Sequence, residues 1–152
     1  MRIRRAAYSL PALLLLLAPL AWSAPSDAPA PPTDKDRPSI SLKASPTIAF
    51  SPARVVFTAD LRGGANDFEE YYCSTVEWDW GDGTTSEHTV DCEPYEAGKS
   101  EIKRHYIADR VFRLSGEYRV QFRLKKNDKV LGAGSTLVKI RPGVREIGGG
   151  GE

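Results

Sequence analysis

The sequence Val-Glu-Trp-Asp-Trp-Gly-Asp-Gly, residues 76–83, constrains the fold more than any other segment. Its apolar residues Val76, Trp78 and Trp80 project to one face of an extended strand, and its acidic residues project to the other. Asp82-Gly83 can adopt the positive φ values that a tight hairpin turn requires. The segment therefore predicts a core strand of a β-sandwich, followed by a hairpin.

Two further segments alternate in the same way. Residues 55–61 and 118–124 place large apolar side chains at every second position, which is typical of half-buried antiparallel strands. Lys126–Lys129 form a turn into a last strand, Val130–Ile140. That strand contains two glycines that indicate a bulge or a close backbone approach, Gly132 and Gly134. The pattern predicts an all-β, immunoglobulin-like sandwich of two antiparallel sheets.

The N-terminus has the features of a secretory signal peptide. Three arginines fall within the first five residues, residues 6–20 are apolar, and residues 21–23 suit a cleavage site. We expect a signal peptide at residues 1–23, cleaved after Ser23 or Ala24. The apolar run is short for a transmembrane helix, which needs about 20 residues, and prolines interrupt it. An uncleaved anchor is the alternative.

The remaining chain divides into three parts by composition. Residues 24–37 are rich in proline and alanine and predict an extended, disordered linker. Residues 38–142 are long enough for one sandwich domain with its own core. Residues 143–152 end in a glycine run and predict a flexible tail.

The charge and the cysteine content limit the cellular compartments and the classes of partner that suit the protein. Loss of Arg2, Arg4 and Arg5 with the signal leaves 18 basic against 20 acidic residues, a net charge of −2. This charge disfavours nucleic acid as a partner. No cysteine precedes Cys73, so the cleavage site cannot carry a lipid anchor. We expect a secreted or periplasmic protein that has no membrane span after cleavage.

Two blocks of sequence resemble the PKD (polycystic kidney disease) domain. They are Trp78–Gly83 and the later Gly-Glu-Tyr-Arg-Val-Gln-Phe at residues 116–122, and the resemblance covers about residues 38–141. Arg110-Val111-Phe112 stands where the family has His-x-Tyr. The resemblance implies an immunoglobulin-like module that contacts proteins or carbohydrates. The residues that carry the motif are Trp78, Trp80, Gly81, Asp82, Gly83, Gly116 and Tyr118.

The two cysteines lie at equal distances from the predicted turn. Cys73 and Cys92 are symmetric about the bond between Asp82 and Gly83, so a hairpin would place them opposite each other. In an oxidising compartment we expect a disulfide across its base. Alternation places Cys73 on the outer face, with the acidic residues of the strand. A redox-active or metal-binding pair is the alternative, although the spacing matches no Cys-x-x-Cys motif.

Charge is segregated along the chain. Residues 60–96 contain eleven acidic residues and one basic residue, whereas residues 99–141 contain twelve basic and four acidic residues. One interpretation is cross-strand pairing within the domain. It would set Glu77 and Asp79 opposite Arg119 and Arg123. The alternative is that the acidic half binds calcium or a cationic ligand and that the basic half binds an anionic polymer.

Asp79 and Asp82 are the candidate calcium ligands, because hard cations prefer carboxylate oxygens near turns. Each also has a structural explanation, Asp82 as a turn residue and Asp79 as an outward strand residue. Two aspartates are too few for a complete site. We therefore expect no cofactor, with calcium as the alternative.

The loop from Gly63 to Tyr72 is the candidate contact surface. Phe68, Tyr71 and Tyr72 lie among acidic residues there, and exposed aromatic side chains can stack on sugars or anchor a protein. In the alternative interpretation, Phe68 and one tyrosine cover the end of the sandwich. Alanine substitution would distinguish loss of binding from loss of stability.

The sequence contains no pattern typical of an enzyme. His88 and His105 are the two histidines, and no metalloprotease, nucleophile-elbow or P-loop motif is present. We expect a monomeric, non-catalytic module that contacts a protein or polysaccharide at the cell envelope or outside the cell. The alternatives are a structural spacer without its own ligand and a polysaccharide-binding accessory module.

Overall fold

The computed structural model describes residues 34–144, and the predicted signal peptide, most of the predicted linker and most of the predicted tail lie outside this range. The strands are β1 (Ser39–Ser45), β2 (Ile48–Phe50), β3 (Ala53–Arg62), β4 (Thr75–Asp79), β5 (Thr85–His88), β6 (His105–Phe112), β7 (Gly116–Lys126) and β8 (Lys129–Arg141). Short 3-10 turns occur at Asp34–Asp36 and Glu69–Tyr71. Within this range no helix is long and apolar enough to cross a membrane.

The strands form a three-stranded sheet in the order β1-β3-β6 and a five-stranded sheet in the order β2-β8-β7-β4-β5. The predicted all-β, immunoglobulin-like sandwich is confirmed. The prediction that both sheets are purely antiparallel is wrong, because β2 pairs with β8 in parallel. After β1 the chain crosses from the three-stranded to the five-stranded sheet, where it forms β2. β1, β2 and β8 all run in the same direction.

Alternating residues from both sheets build the core. Its largest fully buried side chains are Val55 and Phe57 of β3, Val120, Phe122 and Leu124 of β7, and Val138 of β8. Trp78 and Trp80 are both buried, with ring centres 5.6 Å apart and nearly parallel planes. Phe57 packs edge-on against Trp80 with ring centres 5.7 Å apart. This aromatic cluster joins the two sheets, as the strand pattern predicts.

The hairpin between β4 and β5 is centred on Asp82. The N–H of Trp80 donates to the carbonyl of Thr84 at 3.1 Å, so the turn is longer than the predicted two residues. Gly81 and Gly83 both adopt positive φ, at 72° and 84°. Because two left-handed glycines shape the turn, its centre lies on Asp82 rather than after it, and the predicted register is wrong.

The hairpin between β7 and β8 agrees with the predicted turn. Asn127 and Asp128 adopt φ values of 49° and 64°, as a two-residue hairpin turn with two left-handed positions requires. The pairing of the strands then skips Leu131, which forms the predicted bulge.

The two glycines after this bulge let another strand approach closely. A β-carbon on Gly132 would lie 2.6 Å from the hydroxyl oxygen of Tyr71 and 2.9 Å from Ile40 of β1. A β-carbon on Gly134 would lie 3.0 Å from Ile40. Both glycines therefore serve the close approach that the sequence indicates.

A hydrogen bond from Tyr118 stabilises the segment between β6 and β7. Its hydroxyl donates to the carbonyl of Leu114 at 2.9 Å, an arrangement similar to the tyrosine corner of immunoglobulin-like domains. Its ring centre lies 4.3 Å from that of Phe112, which is 2% exposed. The Gly-x-Tyr motif thus has a structural role.

Arg37 belongs to the folded domain, although the sequence places it at the end of the linker. Its guanidinium donates to the carbonyl of Leu131 at 2.9 Å and to the carboxylate of Glu70 at 2.8 Å. It also lies 5.6 Å from the ring centre of Phe68. These contacts attach the start of β1 to one end of the sandwich.

Candidate functional site

A cleft opens along one side of the sandwich, between the edge strands β5 and β6. Val76 and Trp78 of β4 form its floor, Tyr106 and Ile107 of β6 form one wall, and His88 of β5 contributes to the other. The volume is about 290 Å³, close to the lower end of the range for ligand pockets. The open side of the sandwich is thus concave and largely apolar.

The predicted disulfide between Cys73 and Cys92 is confirmed, and it lines one end of the cleft. The expected position of Cys73 on the outer face is wrong. Cys73 precedes β4, which begins at Thr75, and its φ of 53° breaks the alternation of the strand. The bridge therefore joins the two chain segments beyond the paired part of the hairpin and borders the cleft.

A few polar groups surround the apolar floor. Burial raises the pKa of Tyr106 to about 12, and its hydroxyl has no hydrogen-bond partner among residues 34–144. The ammonium of Lys103 lies 5.0 Å from the centre of the Tyr106 ring. His88 and Glu101 also line the cleft. Such a combination of an apolar floor with a small number of polar groups is typical of binding sites.

The segment between β5 and β6 borders the cleft and carries charges of both signs. Asp91, Glu93 and Glu101 form no ion pair with another residue in the described part of the chain. Glu101 and Lys103 line the cleft itself. The three carboxylates would attract a basic ligand, against the opposing charge of Lys103.

The aromatic loop that the sequence proposes as a contact surface is largely buried. Phe68 and Tyr71 are 4% and 3% exposed, and their rings pack edge to face. The prediction that these two are exposed contact residues is wrong, and they cover the end of the sandwich as in the alternative. Tyr72 is half-buried, donates its hydroxyl to the carbonyl of Glu93 at 2.9 Å and lines the cleft. Tyr71 also lines the cleft, so the two tyrosines link the predicted surface to it.

Both candidate calcium ligands interact with arginines. The carboxylate of Asp79 accepts a hydrogen bond from Arg123 at 3.1 Å, and that of Asp82 accepts one from Arg110 at 2.6 Å. Among residues 34–144 no three or more His, Cys, Asp or Glu side chains are grouped as a metal site would require. The geometry explains both aspartates by contacts within the protein.

Arg110 occupies the position where the family resemblance places a histidine. Its side chain points between the sheets, with the guanidinium 5.5 Å from the ring centre of Trp80. It donates to the hydroxyl of Thr84 at 2.8 Å, besides its bond to Asp82. Its Nε is buried and has no hydrogen-bond partner within the described residues. Arg110 thus fills the space between the sheets near the β4–β5 turn.

Cross-strand ion pairs cover the outer face of the five-stranded sheet. Glu77 accepts hydrogen bonds from Arg123 and from Lys125, and Lys125 also reaches Glu87 at 3.1 Å. The predicted pairing with Arg123 is therefore confirmed. The predicted pairing with Arg119 is wrong, because Arg119 lies beyond the last paired residues of β4 and β7. The segregated charges thus meet, in part, within the domain.

Sequence reasoning missed the residues that build the cleft, mainly Val90, Tyr106 and Ile107. Val90 lies in a segment without periodicity, and its proximity to β6 depends on the tertiary fold. Tyr106 had no clear signal either, since apolar and polar residues do not alternate from His105 to Phe112.

No family model and no curated protein matches the chain. Among solved structures, the chain is similar to the PKD domain of an M14-like peptidase from a Thermoplasmatales archaeon, with 18% identity, a TM-score of 0.47, and coverage of 70% of this chain and 97% of that one. It is also similar to a CARDB domain from Pyrococcus furiosus, in complex with two metal ions, with 16% identity, a TM-score of 0.44, and coverage of 70% and 90%.

Proposed function

We propose that the protein is an exported, non-catalytic binding module that contacts a protein or polysaccharide through the cleft between β5 and β6. The observation that carries the proposal is the cleft itself, an apolar concavity whose lining also includes Tyr106, Glu101 and Lys103. Exposure of an apolar concavity to water is unfavourable, and a structural spacer without a ligand has no function that requires such exposure.

The disulfide supports export. Disulfides persist in oxidising compartments such as the periplasm and the extracellular space, and this one lies at an exposed edge of the domain. The chain also begins with a segment that has the features of a secretory signal.

The side chains around the histidines favour binding over catalysis. The cysteines beside His88 are bridged and cannot act as nucleophiles. His105 lies outside the cleft lining and contacts Asp60 at 2.7 Å on the outer face of the three-stranded sheet. Within residues 34–144, neither histidine side chain is hydrogen-bonded to a hydroxyl or thiol, as a nucleophile–base pair would be, and the hydroxyl of Ser74 donates to the carbonyl of Glu70 instead.

The test is retention on the immobilised full-length protein, prepared with its disulfide formed. Native envelope and secreted fractions, and a panel of polysaccharides, would be applied at low and at moderate salt. Val90→Arg would block the mouth of the cleft, since Val90 is 46% exposed there. Leu137→Arg is the matched control, because Leu137 is 49% exposed on the outer face of the five-stranded sheet, in β8 and away from the cleft.

We expect retention that survives moderate salt, disappears with Val90→Arg and persists with Leu137→Arg. Equal retention by all three proteins would place the contact on another surface. Retention of nothing by any of them would contradict the binding function and favour the structural spacer.

A further inference from the structure

The edge of β6 beside the cleft has unpaired backbone groups. The N–H of Leu61 donates to the carbonyl of Arg104, which fixes the alternation of the antiparallel pair β3–β6. The N–H and C=O groups of Tyr106 and Ala108 consequently point toward β3, and those of His105 and Ile107 point to the open side. Within residues 34–144 no other strand pairs with this side of β6.

Only half of this edge strand carries an inward-pointing charge. Natural proteins protect edge strands with charged side chains that point inward, among other devices. Arg110 is such a residue in β6, since it points between the sheets and pairs with Asp82. The half from His105 to Ala108 has no such charge on its inner face, which carries Tyr106 and Ala108.

The half of β6 without an inward-pointing charge is also the half that borders the cleft. An added strand would lie about 4.8 Å from β6, and every second side chain would point to the inner face of the sheet. Those side chains would enter the cleft beside Tyr106, above Val76 and Trp78. The remaining side chains of the added strand would point to the outer face of the sheet. There they would lie next to Ile107, which is 63% exposed.

We propose that the cleft and the open half of β6 together bind an extended polypeptide segment of a partner protein, which adds to the three-stranded sheet as a further strand. The segment carries large apolar side chains at alternate positions and basic residues at its ends. The apolar side chains fill the cleft. One basic end complements Glu101 of the cleft lining, and the other complements Asp91 and Glu93 of the segment that borders it. This inference rests on the proposed binding function and selects a protein segment, rather than a polysaccharide, as the ligand.

A synthetic peptide, acetyl-Lys-Thr-Phe-Thr-Val-Thr-Lys-amide, serves as the probe. It is titrated into the isotopically labelled full-length protein, and amide shifts are followed by NMR. We expect the largest shifts at His105, Ile107 and Val90. Replacing Phe and Val by Ser, or both Lys by Glu, should weaken binding at least tenfold, because each change removes one of the two complementary features.

Backbone methylation distinguishes strand addition from simple pocket binding. One peptide carries N-methyl groups on its odd-numbered residues, and a second carries them on its even-numbered residues. Because only one edge of an added strand faces β6, one of these peptides should lose binding and the other should retain it. Equal binding by both would overturn the proposal.

A variant of the protein tests the same edge. Ile107→Pro removes an N–H that points away from β3, and proline is tolerated on edge strands. It should abolish peptide binding, whereas Ile107→Thr, which keeps the N–H, should reduce binding less. The methylated peptides do not depend on this variant, so they decide the question even where Ile107→Pro does not fold.

The remaining outcomes separate this inference from the proposed function. Retention of an envelope partner through the cleft, without any binding of the peptides, would overturn strand addition and leave the binding function intact. A dimer in sedimentation that Ile107→Pro converts to a monomer would overturn the peptide partner and identify a second copy of the chain as the occupant. The absence of both partner retention and peptide binding would contradict both proposals.

Discussion

The hydroxyl oxygen of Tyr71 lies 2.6 Å from the position that a β-carbon on Gly132 would occupy. Tyr71 is only 3% exposed, so its ring cannot move away without disturbing the end of the sandwich. We expect Gly132→Ala to lower the free energy of unfolding by about 1–3 kcal/mol, as overpacking of a buried site does. Urea denaturation of the full-length protein measures this change.

The double variant with Tyr71→Phe identifies the clash. Removal of the hydroxyl relieves the closer of the two contacts, while the contact with Ile40 remains. We expect Gly132→Ala to cost less in the Tyr71→Phe background than alone. Additive effects of the two substitutions would contradict this assignment.

The ion pairs of Glu77 predict a dependence of stability on pH. Hydrogen bonds from Lys125 and Arg123 lower the pKa of this carboxyl below 4.5, whereas burial opposes them with a smaller effect. Because the pKa is lower in the folded state than in the unfolded state, this stabilisation is complete above about pH 4.5 and is lost as the pH falls through the lower, folded value.

Glu77→Gln removes the carboxylate but keeps most of its volume. At pH 7 we expect a loss of about 1–2 kcal/mol in the free energy of unfolding, in the range for hydrogen bonds to charged groups. The difference from the unmodified protein should shrink as the pH falls below about 4.5, because the carboxyl of the unfolded chain then binds a proton before the carboxyl of the folded protein does. A difference that stays constant from pH 7 to pH 3 would show that the charge of Glu77 contributes nothing.

The disulfide should stabilise the domain without being required for its fold. Joint replacement of Cys73 and Cys92 by serine is expected to lower the free energy of unfolding by about 3 kcal/mol. The reason is that the unfolded chain is no longer closed into a loop by a bond between residues that are 19 positions apart. Chemical denaturation gives the value, and a near-native circular dichroism spectrum is expected. The unmodified protein treated with reductant is the control, and it should show the same loss.

Arg110 is predicted to prevent association along β6. Arg110→Leu removes the inward-pointing charge of β6. The inner face of this edge strand is then apolar from Tyr106 to Phe112. We therefore expect concentration-dependent dimers or larger species in sedimentation. Arg54→Leu is the control, because Arg54 is a highly exposed arginine on the outer face of the same sheet. A monomeric Arg110→Leu protein at the highest soluble concentration would refute the protective role.

The sequence predicted the parts of the fold that depend on local patterns. Alternation at residues 55–61 and 118–124 identified two core strands, and the motif at residues 78–83 identified a third together with its turn. The register of the β4–β5 hairpin was missed because two glycines on either side of Asp82, Gly81 and Gly83, can each take a left-handed conformation. Composition alone does not decide which of them defines the centre of the turn.

The candidate site was harder to predict, because it is formed by segments far apart in the chain. Phe68 and Tyr71 resemble exposed loop aromatics in the sequence, yet Arg37 and the glycines of β8 bury them at the end of the sandwich. The cleft exists because β5 and β6 are the edges of different sheets on the same side of the domain. Only the sheet order contains this information.

The parallel pairing of β2 with β8 also determines how the domain would respond to tension. β1 and β2 follow the direction of β8, so the chain enters the domain near Gly132 and leaves it after Arg141, at the opposite end. A force that pulls these two points apart acts along the strands, and it loads the hydrogen bonds between residues 48–50 and 139–141 simultaneously rather than one after another. The chain is therefore arranged so that β2 and β8 would bear such a load by shear.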